Sequence, residues 1–132
     1  MQRLVHAGVP LARAWGVEVL EAADGTATLR LPHHEDLLRP GGTVSGPALM
    51  GLADVAMWAA LLSLTGGKDE SLTANLSITF LRPPAPRAVI ADAKVETIRA
   101  GQAIIKEGES GDDIFIIQRG SMVVEKEIGG NP

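Results

Sequence analysis

The 132 residues include no cysteine, which excludes disulfides, thiolate metal sites and thiol nucleophiles together. Positive charge is scarce as well. Twelve Lys and Arg residues stand against 16 Asp and Glu, for a net charge of -4, so a broad nucleic-acid footprint is not expected. No run reaches the roughly 18 apolar residues of a membrane span, and Met1 opens no signal-peptide pattern. Also missing are a G-x-S-x-G elbow and any H-x-H or H-x-x-x-H spacing, which removes the usual serine-hydrolase and zinc signatures. The expectation from these gaps is a cytoplasmic protein with neither membrane nor nucleic-acid partners. What is present, 45% apolar and 21% charged residues, is ordinary for a folded domain. The length has room for one such domain, expected over residues 1–132 with a frayed tail at 128–132.

The first ten residues read as a short helix or arm. WGVEVLEA (15–22) and TATLRLP (26–32) flank Asp24-Gly25, which predicts two short strands joined by a tight turn. A loop punctuated by Pro and Gly follows, HHEDLLRPGGTVSGP (33–47), long enough to be functional. PALMGLADVAMWAALLSL (47–64) is apolar on every face and predicts a helix surrounded by protein. Ser45 and Gly46 supply the cap, Pro47 fits the first turn, and Thr65-Gly66-Gly67 is the stop. The period then changes to two: Leu72, Ala74, Leu76, Ile78 and Phe80 alternate with Thr73, Asn75, Ser77 and Thr79, a half-polar strand. Arg82-Pro83-Pro84-Ala85-Pro86 interrupts it, and strands are expected at 88–98, 102–109 and 114–127. About six strands with one long helix between the second and third make an α+β domain. A chain this small cannot cover both faces of its own sheet, so association is expected.

Asp54 is the single charged side chain between Pro47 and Leu64. A carboxylate on so apolar a helix must be paired, protonated or open to a pocket. It either serves site chemistry or hydrogen-bonds to backbone N–H groups of a facing loop. The Gly-rich approach Arg39-Pro40-Gly41-Gly42-Thr43-Val44-Ser45-Gly46 leads into the helix, whose first amides can hold a carbonyl oxygen that develops charge; the alternative is a loop that is merely tight. Asp54 lies about two turns, or roughly 12 Å, beyond that start, too far for both to act on one carbonyl within a subunit. Cooperation would require a dimer. His33 and His34 stand beside Glu35 and Asp36, but adjacent residues rarely converge on one ion, and no metal is expected. His34 is either a pocket-rim contact to substrate or a solvated loop residue. Thr73 or Asn75, near the helix exit, can hydrogen-bond to Asp54 or orient a water, or else belong to an ordinary polar strand face.

RPGGTVSGPALMGLADVAMWAAL followed by TANLSITFLRPPAP resembles the hotdog-fold acyl-CoA thioesterases of the PaaI type. The resemblance covers roughly residues 10–105 and is most specific from Arg39 to Pro84. It implies a hotdog fold, an antiparallel sheet wrapped around one long buried helix, assembled as a homodimer or a dimer of dimers. The family motif is His-Gly-Gly, four variable residues, then Leu-x-Asp; this chain has Ser45-Gly46-Pro47 and then Leu52-Ala53-Asp54. The implied catalytic carboxylate is Asp54, as base or nucleophile toward a thioester. Gly46 corresponds to the glycine whose N–H polarises the thioester carbonyl, and Thr73 falls near a strand position that helps hold water or substrate. Candidate substrate contacts are Arg39, Gly42 and Ser45 on the approach loop, Met50 and Trp58 on the helix, Asn75 on the next strand and His34 at the rim. Met57 joins Met50 and Trp58 as a candidate surface for the acyl group. Ser45 replaces the motif histidine, Pro47 its second glycine, and Arg39 stands where members often have asparagine. The implied activity is hydrolysis of a small or medium acyl-CoA thioester, with coenzyme A as part of the substrate and no other cofactor. The alternative is a non-catalytic acyl-CoA or small-ligand binding module.

IIKEGESGDDIFIIQRGSMVV (104–124) resembles the first hairpin of cyclic-nucleotide-binding domains, with glycines at 108, 111 and 120. The phosphate-binding cassette of that family, a Phe-Gly-Glu stretch with a later arginine, is absent from these residues. The segment is therefore read as hairpin strands of the same domain, with cyclic-nucleotide binding not expected.

Overall fold

The computed structural model of the chain describes residues 1–69, 72–73, 75–96 and 116–117. Two short helices open it, α1 (Gln2–Gly8) and α2 (Pro10–Ala14). Pro10 starts the second because its fixed φ suits a first helical turn and its absent N–H is not missed there. This second helix displaces the expected start of the first strand: Trp15 closes α2 by donating its N–H to the Leu11 carbonyl, and Gly16, at φ +68°, turns the chain. The strand β1 accordingly runs over Glu18–Ala23 and not from Trp15.

β1 and β2 (Thr26–Leu31) form the expected hairpin. Asp24 and Gly25 both have positive φ, 50° and 83°, the backbone that a two-residue turn needs to match strand twist. A bulge between Val19 and Glu21 leaves Leu20 unpaired and turns it outward. On the other side of β2 lies β4 (Val89–Lys94), giving an antiparallel order β1-β2-β4. Alternation divides the sheet cleanly. Ala27, Leu29 and Leu31 are buried on the inner face. The outer face carries Thr28 bonded to Asp92 at 2.8 Å and Arg30 paired with Glu18 at 3.1 Å.

Between β2 and β3 (Asn75–Leu76) runs the long helix α3 (Gly46–Thr65), lying on the inner face of the sheet. Ser45 caps it, its Oγ accepting the Ala48 N–H. Gly66, at φ +65°, ends it, and the N–H groups of Gly66 and Gly67 both reach the Leu62 carbonyl. Ala48, Ala56, Ala59 and Ala60 are buried with Leu52, Val55 and Leu62; small side chains let the helix lie close to the strands. The opposite flank, including Met50, Ala53, Asp54, Trp58 and Leu61, is half-buried or exposed. Among the described residues, the three strands of this sheet cover one side of the helix and leave that flank less enclosed. By length and composition α3 is also apolar enough to cross a membrane, with a mean hydropathy of 1.6 over its best window. Counting uninterrupted apolar runs misses this, since Asp54 and Ser63 break them. Its position is that of the central helix of a hotdog fold.

The alternating run at 72–80 gives less strand than its pattern predicts. Among the described residues only Asn75 and Leu76 of it pair, with Ile117 and Ile116 of β5 (Ile116–Ile117). Leu76 and Ile78 still turn inward while Ser77 and Thr79 are exposed, but Phe80 and Leu81 are 54% and 64% exposed. Period two sets which side chains point inward; a ladder also needs a neighbouring strand, and β4 is already paired with β2 on its described side. The strand expected at 88–98 is β4, shorter at both ends. The strands expected at 102–109 and 114–127, the 104–124 resemblance and the tail lie outside the described residues, apart from Ile116–Ile117.

Candidate active site

The approach loop is built to deliver the start of α3. Leu37 closes a single 3-10 turn (Glu35–Leu37), and its carbonyl accepts the Ser45 N–H at 2.8 Å. Between them Arg39 and Thr43 close a tight turn: the Arg39 N–H donates to the Thr43 carbonyl at 2.8 Å, and the Gly42 N–H donates back to the Arg39 carbonyl at 3.1 Å. Gly41 and Gly42 have φ of 100° and 78°, which side chains rarely tolerate. The Arg39 side chain is exposed.

Among the described residues this geometry leaves one first-turn amide without a partner. Pro47 has no N–H, Ala48 donates to Ser45 Oγ at 3.4 Å and Leu49 to the Ser45 carbonyl at 3.2 Å. Gly46, the first residue of α3, has no carbonyl within the helix to receive its N–H. Ser45, which stands where the motif has histidine, is engaged as the helix cap. Beside Gly46 lies Phe80, whose Cζ is 3.6 Å from the position a Gly46 Cβ would take.

Eight residues along α3 from Gly46 stands Asp54, half-buried on the open flank. Its Oδ1 accepts a hydrogen bond from Thr73 Oγ1, so the contact anticipated between helix and following strand is present. A hydroxyl donor fixes one carboxylate oxygen and leaves the other for a further partner. No ion pair to Asp54 is found among the described residues. By helix rise, Gly46 and Asp54 are separated by about 12 Å.

Other candidates are distributed more widely. Met50, one turn before Asp54, is 39% exposed. Met57, two turns further along the same face, is 7% exposed. Trp58 is occupied structurally: its indole lies against Gly8 of α1, and Nε1 donates to the Asp69 carbonyl at 3.4 Å. Asn75 lies in β3 opposite Ile117. His34 caps the 3-10 turn, Nδ1 accepting the Asp36 N–H at 3.0 Å, and it lines an open cleft of about 220 Å³ with Ala14, Trp15, Asp36 and Leu37. The structure thus brings together Asp54 and Thr73, and separately Ser45, Gly46 and the Arg39–Thr43 turn. Among the described residues no group of three His, Asp or Glu side chains is placed to hold a metal ion. Two aromatic neighbours escaped the sequence reading, Phe80 beside Gly46 and Trp15 against Gly51. The signal for Phe80 was its position as the last apolar residue of the alternating run, immediately before Leu81-Arg82-Pro83.

The family model of the Thioesterase superfamily matches residues 41–105, from the approach loop through α3 and β4. A conserved protein of known structure from Pseudomonas aeruginosa is 30% identical, covering 70% of this chain and 74% of its own, with a TM-score of 0.64. The chain belongs to the thioesterase superfamily. Within this superfamily it has the hotdog fold of the PaaI type. A single-substitution variant of the phenylacetic acid degradation protein PaaI from Thermus thermophilus is 27% identical, with a TM-score of 0.59 over 69% of this chain and 77% of that one. A relative from Halobacterium salinarum, named as an esterase by provisional assignment, is 36% identical over 94 residues, 67% of this chain and 60% of its own length. The chain spans about three fifths of the curated relatives it matches, 61% and 60%.

Proposed function

We propose that this superfamily member hydrolyses a small or medium acyl-CoA thioester as a homodimer or a dimer of dimers. The observation that carries the reading is the Thr73-oriented carboxylate of Asp54 on the open flank of a helix whose first turn keeps one free amide, at Gly46. The two are about 12 Å apart along one helix, so the Asp54 of one subunit serves the Gly46 of its partner. Thioester carbonyl oxygen docks on the Gly46 N–H. Asp54 either takes the proton of a water that attacks the carbonyl carbon, or attacks that carbon itself to form an anhydride that water then opens. In both routes the C–S bond breaks and coenzyme A leaves as its thiolate. The acid product takes its new oxygen from water in the first route and, where water opens the anhydride at the Asp54 carboxyl carbon, from Asp54 in the second. The amide contributes about 3 kcal/mol to the tetrahedral state, as a single oxyanion donor does. Water is the only co-reactant, so no further cofactor is invoked.

The test is thiol release from a panel of acyl-CoAs, with phenylacetyl-CoA included because one solved neighbour bears a phenylacetic acid degradation name. Asp54→Asn is expected to lower kcat at least about a hundredfold, the range of general-base catalysis. Equal turnover by both proteins removes Asp54 from the mechanism. A second reading, a non-catalytic acyl-CoA binding module, is favoured by one observation: Ser45 Oγ is taken up in capping and Pro47 offers no amide, which leaves a single donor. Saturable binding of acyl-CoA without thiol release, indifferent to Asp54→Asn, would select that reading, because only hydrolysis needs groups matched to the transition state.

A further inference from the structure

We propose that Phe80 is the specificity-determining wall of the carbonyl site and selects acyl groups that are unbranched at the carbon next to the thioester carbonyl; this rests on Gly46 being the carbonyl donor. Phe80 follows the polar alternating segment, yet its ring does not turn into the core. It is 54% exposed, and its Cζ lies 3.6 Å from the point a Cβ on Gly46 would occupy. In an α-helix every Cα–Cβ bond tilts toward the N-terminus, the side toward which the first-turn N–H groups also point. The ring therefore occupies the flank of the one open amide. A carbonyl oxygen within hydrogen-bond distance of that N–H brings the adjoining acyl carbon to within a few ångströms of the ring. A methylene chain passes a flat aromatic face in ordinary contact. A methyl branch on the ring side has no room unless the ring swings away. The same wall keeps water off the amide, so a carbonyl seated there meets a drier donor. Gly46 leaves this space open: even a Cβ there would reach only ordinary van der Waals contact with the ring, so the slot is filled by what docks on the amide.

The experiment compares butyryl-CoA with isobutyryl-CoA for the wild-type chain and Phe80→Ala. Both substrates are read on one preparation, so the ratio of their kcat/KM values is independent of how much protein is correctly folded. Wild type is expected to prefer butyryl-CoA at least tenfold, and Phe80→Ala to reduce that preference at least fivefold. Turnover with no such preference, or with a preference that survives Phe80→Ala, overturns the role of Phe80 and leaves the thioesterase reading intact. Absence of thiol release from either substrate counts against that reading. Phe80 is then judged by the affinities of the two ketone analogues in which CH2 replaces the thioester sulfur. A straight-chain preference that collapses in Phe80→Ala supports the wall. An unchanged ratio, or no binding, overturns it.

Discussion

Gly8→Ala tests the packing that joins α1 to α3. A Cβ at Gly8 would lie 2.3 Å from Trp58 Cη2 and 2.8 Å from Cζ3, distances no rotamer of alanine relieves because a Cβ has none. The indole must move, and its Nε1–H is held by the Asp69 carbonyl at 3.4 Å. Overpacking of this kind costs about 1–3 kcal/mol. Alanine returns up to roughly 1 kcal/mol through lower unfolded-state entropy and better helix propensity. The expected net loss is about 1–2 kcal/mol, a fall in Tm of roughly 4–10 °C for a chain of this size. Thermal unfolding followed by circular dichroism measures it. The three nearest atoms, Cη2, Cζ3 and Cζ2, all belong to the outer ring of the indole, which phenylalanine lacks. Trp58→Phe should therefore cost less in the Gly8→Ala background than in wild type, a coupling visible in a double-mutant cycle. Gly41→Ala is the contrast, since its φ is 100° with nothing within 4 Å: it loses backbone ease alone, and Trp58→Phe does not change its cost. A Gly8→Ala chain that melts at or above wild type, or additive effects with Trp58→Phe, would refute the reasoning.

Two other substitutions probe the site. Ser45→Ala removes the N-cap acceptor, a long contact at 3.4 Å, and should cost about 0.5–1 kcal/mol in urea unfolding; a cost above about 2 kcal/mol would mean that Ser45 does more than cap. Thr73→Val deletes the donor to Asp54 Oδ1 at an exposed position, where water can replace the bond in the folded state. It should lower kcat about tenfold with Tm unchanged within about 2 °C, and a loss of stability with unaltered kcat would make Thr73 a structural residue.

Local rules made the hairpin and the helix limits legible. Asp24-Gly25 specifies its turn through two positive φ angles, and Ser45 and Gly66 specify the ends of α3 through a side-chain acceptor and a left-handed cap; each signal acts within a few residues. Asp54 stood out because one carboxylate on an apolar helix demands an explanation, and Thr73 because the strand after the helix must return along it. What the sequence hid depends on contacts distant in the chain. The aromatic ring of Trp58 is a candidate acyl surface by its spacing of one turn from Asp54; that it also packs against Gly8, 50 residues earlier, was not legible. Met57 lies two turns along the same face as Met50 yet is 7% exposed where Met50 is 39%, a difference that all-round apolarity cannot reveal. The strand at 72–80 was overextended because alternation reports which side is apolar and not whether a partner lies alongside.

The departures at Ser45 and Pro47 have different physical consequences. At the cap position serine is well suited to starting a helix, so the loss of a motif histidine removes a side chain from the approach loop without weakening α3. Pro47 lies in the first turn, where an amide has no acceptor within the helix, so proline there costs the helix nothing. What it removes is an outward donor. With the Ala48 and Leu49 amides directed to Ser45, the donor capacity of the first turn is concentrated on Gly46 alone. A site with one amide gains more from excluding water than a site with two, since a lone hydrogen bond is easily replaced by solvent and strengthens as the local dielectric falls. The exposed aromatic ring beside that amide fits this requirement. On the proposed reading, the two altered motif positions and Phe80 form one arrangement, in which a reduced donor set is offset by a drier and narrower approach to the carbonyl.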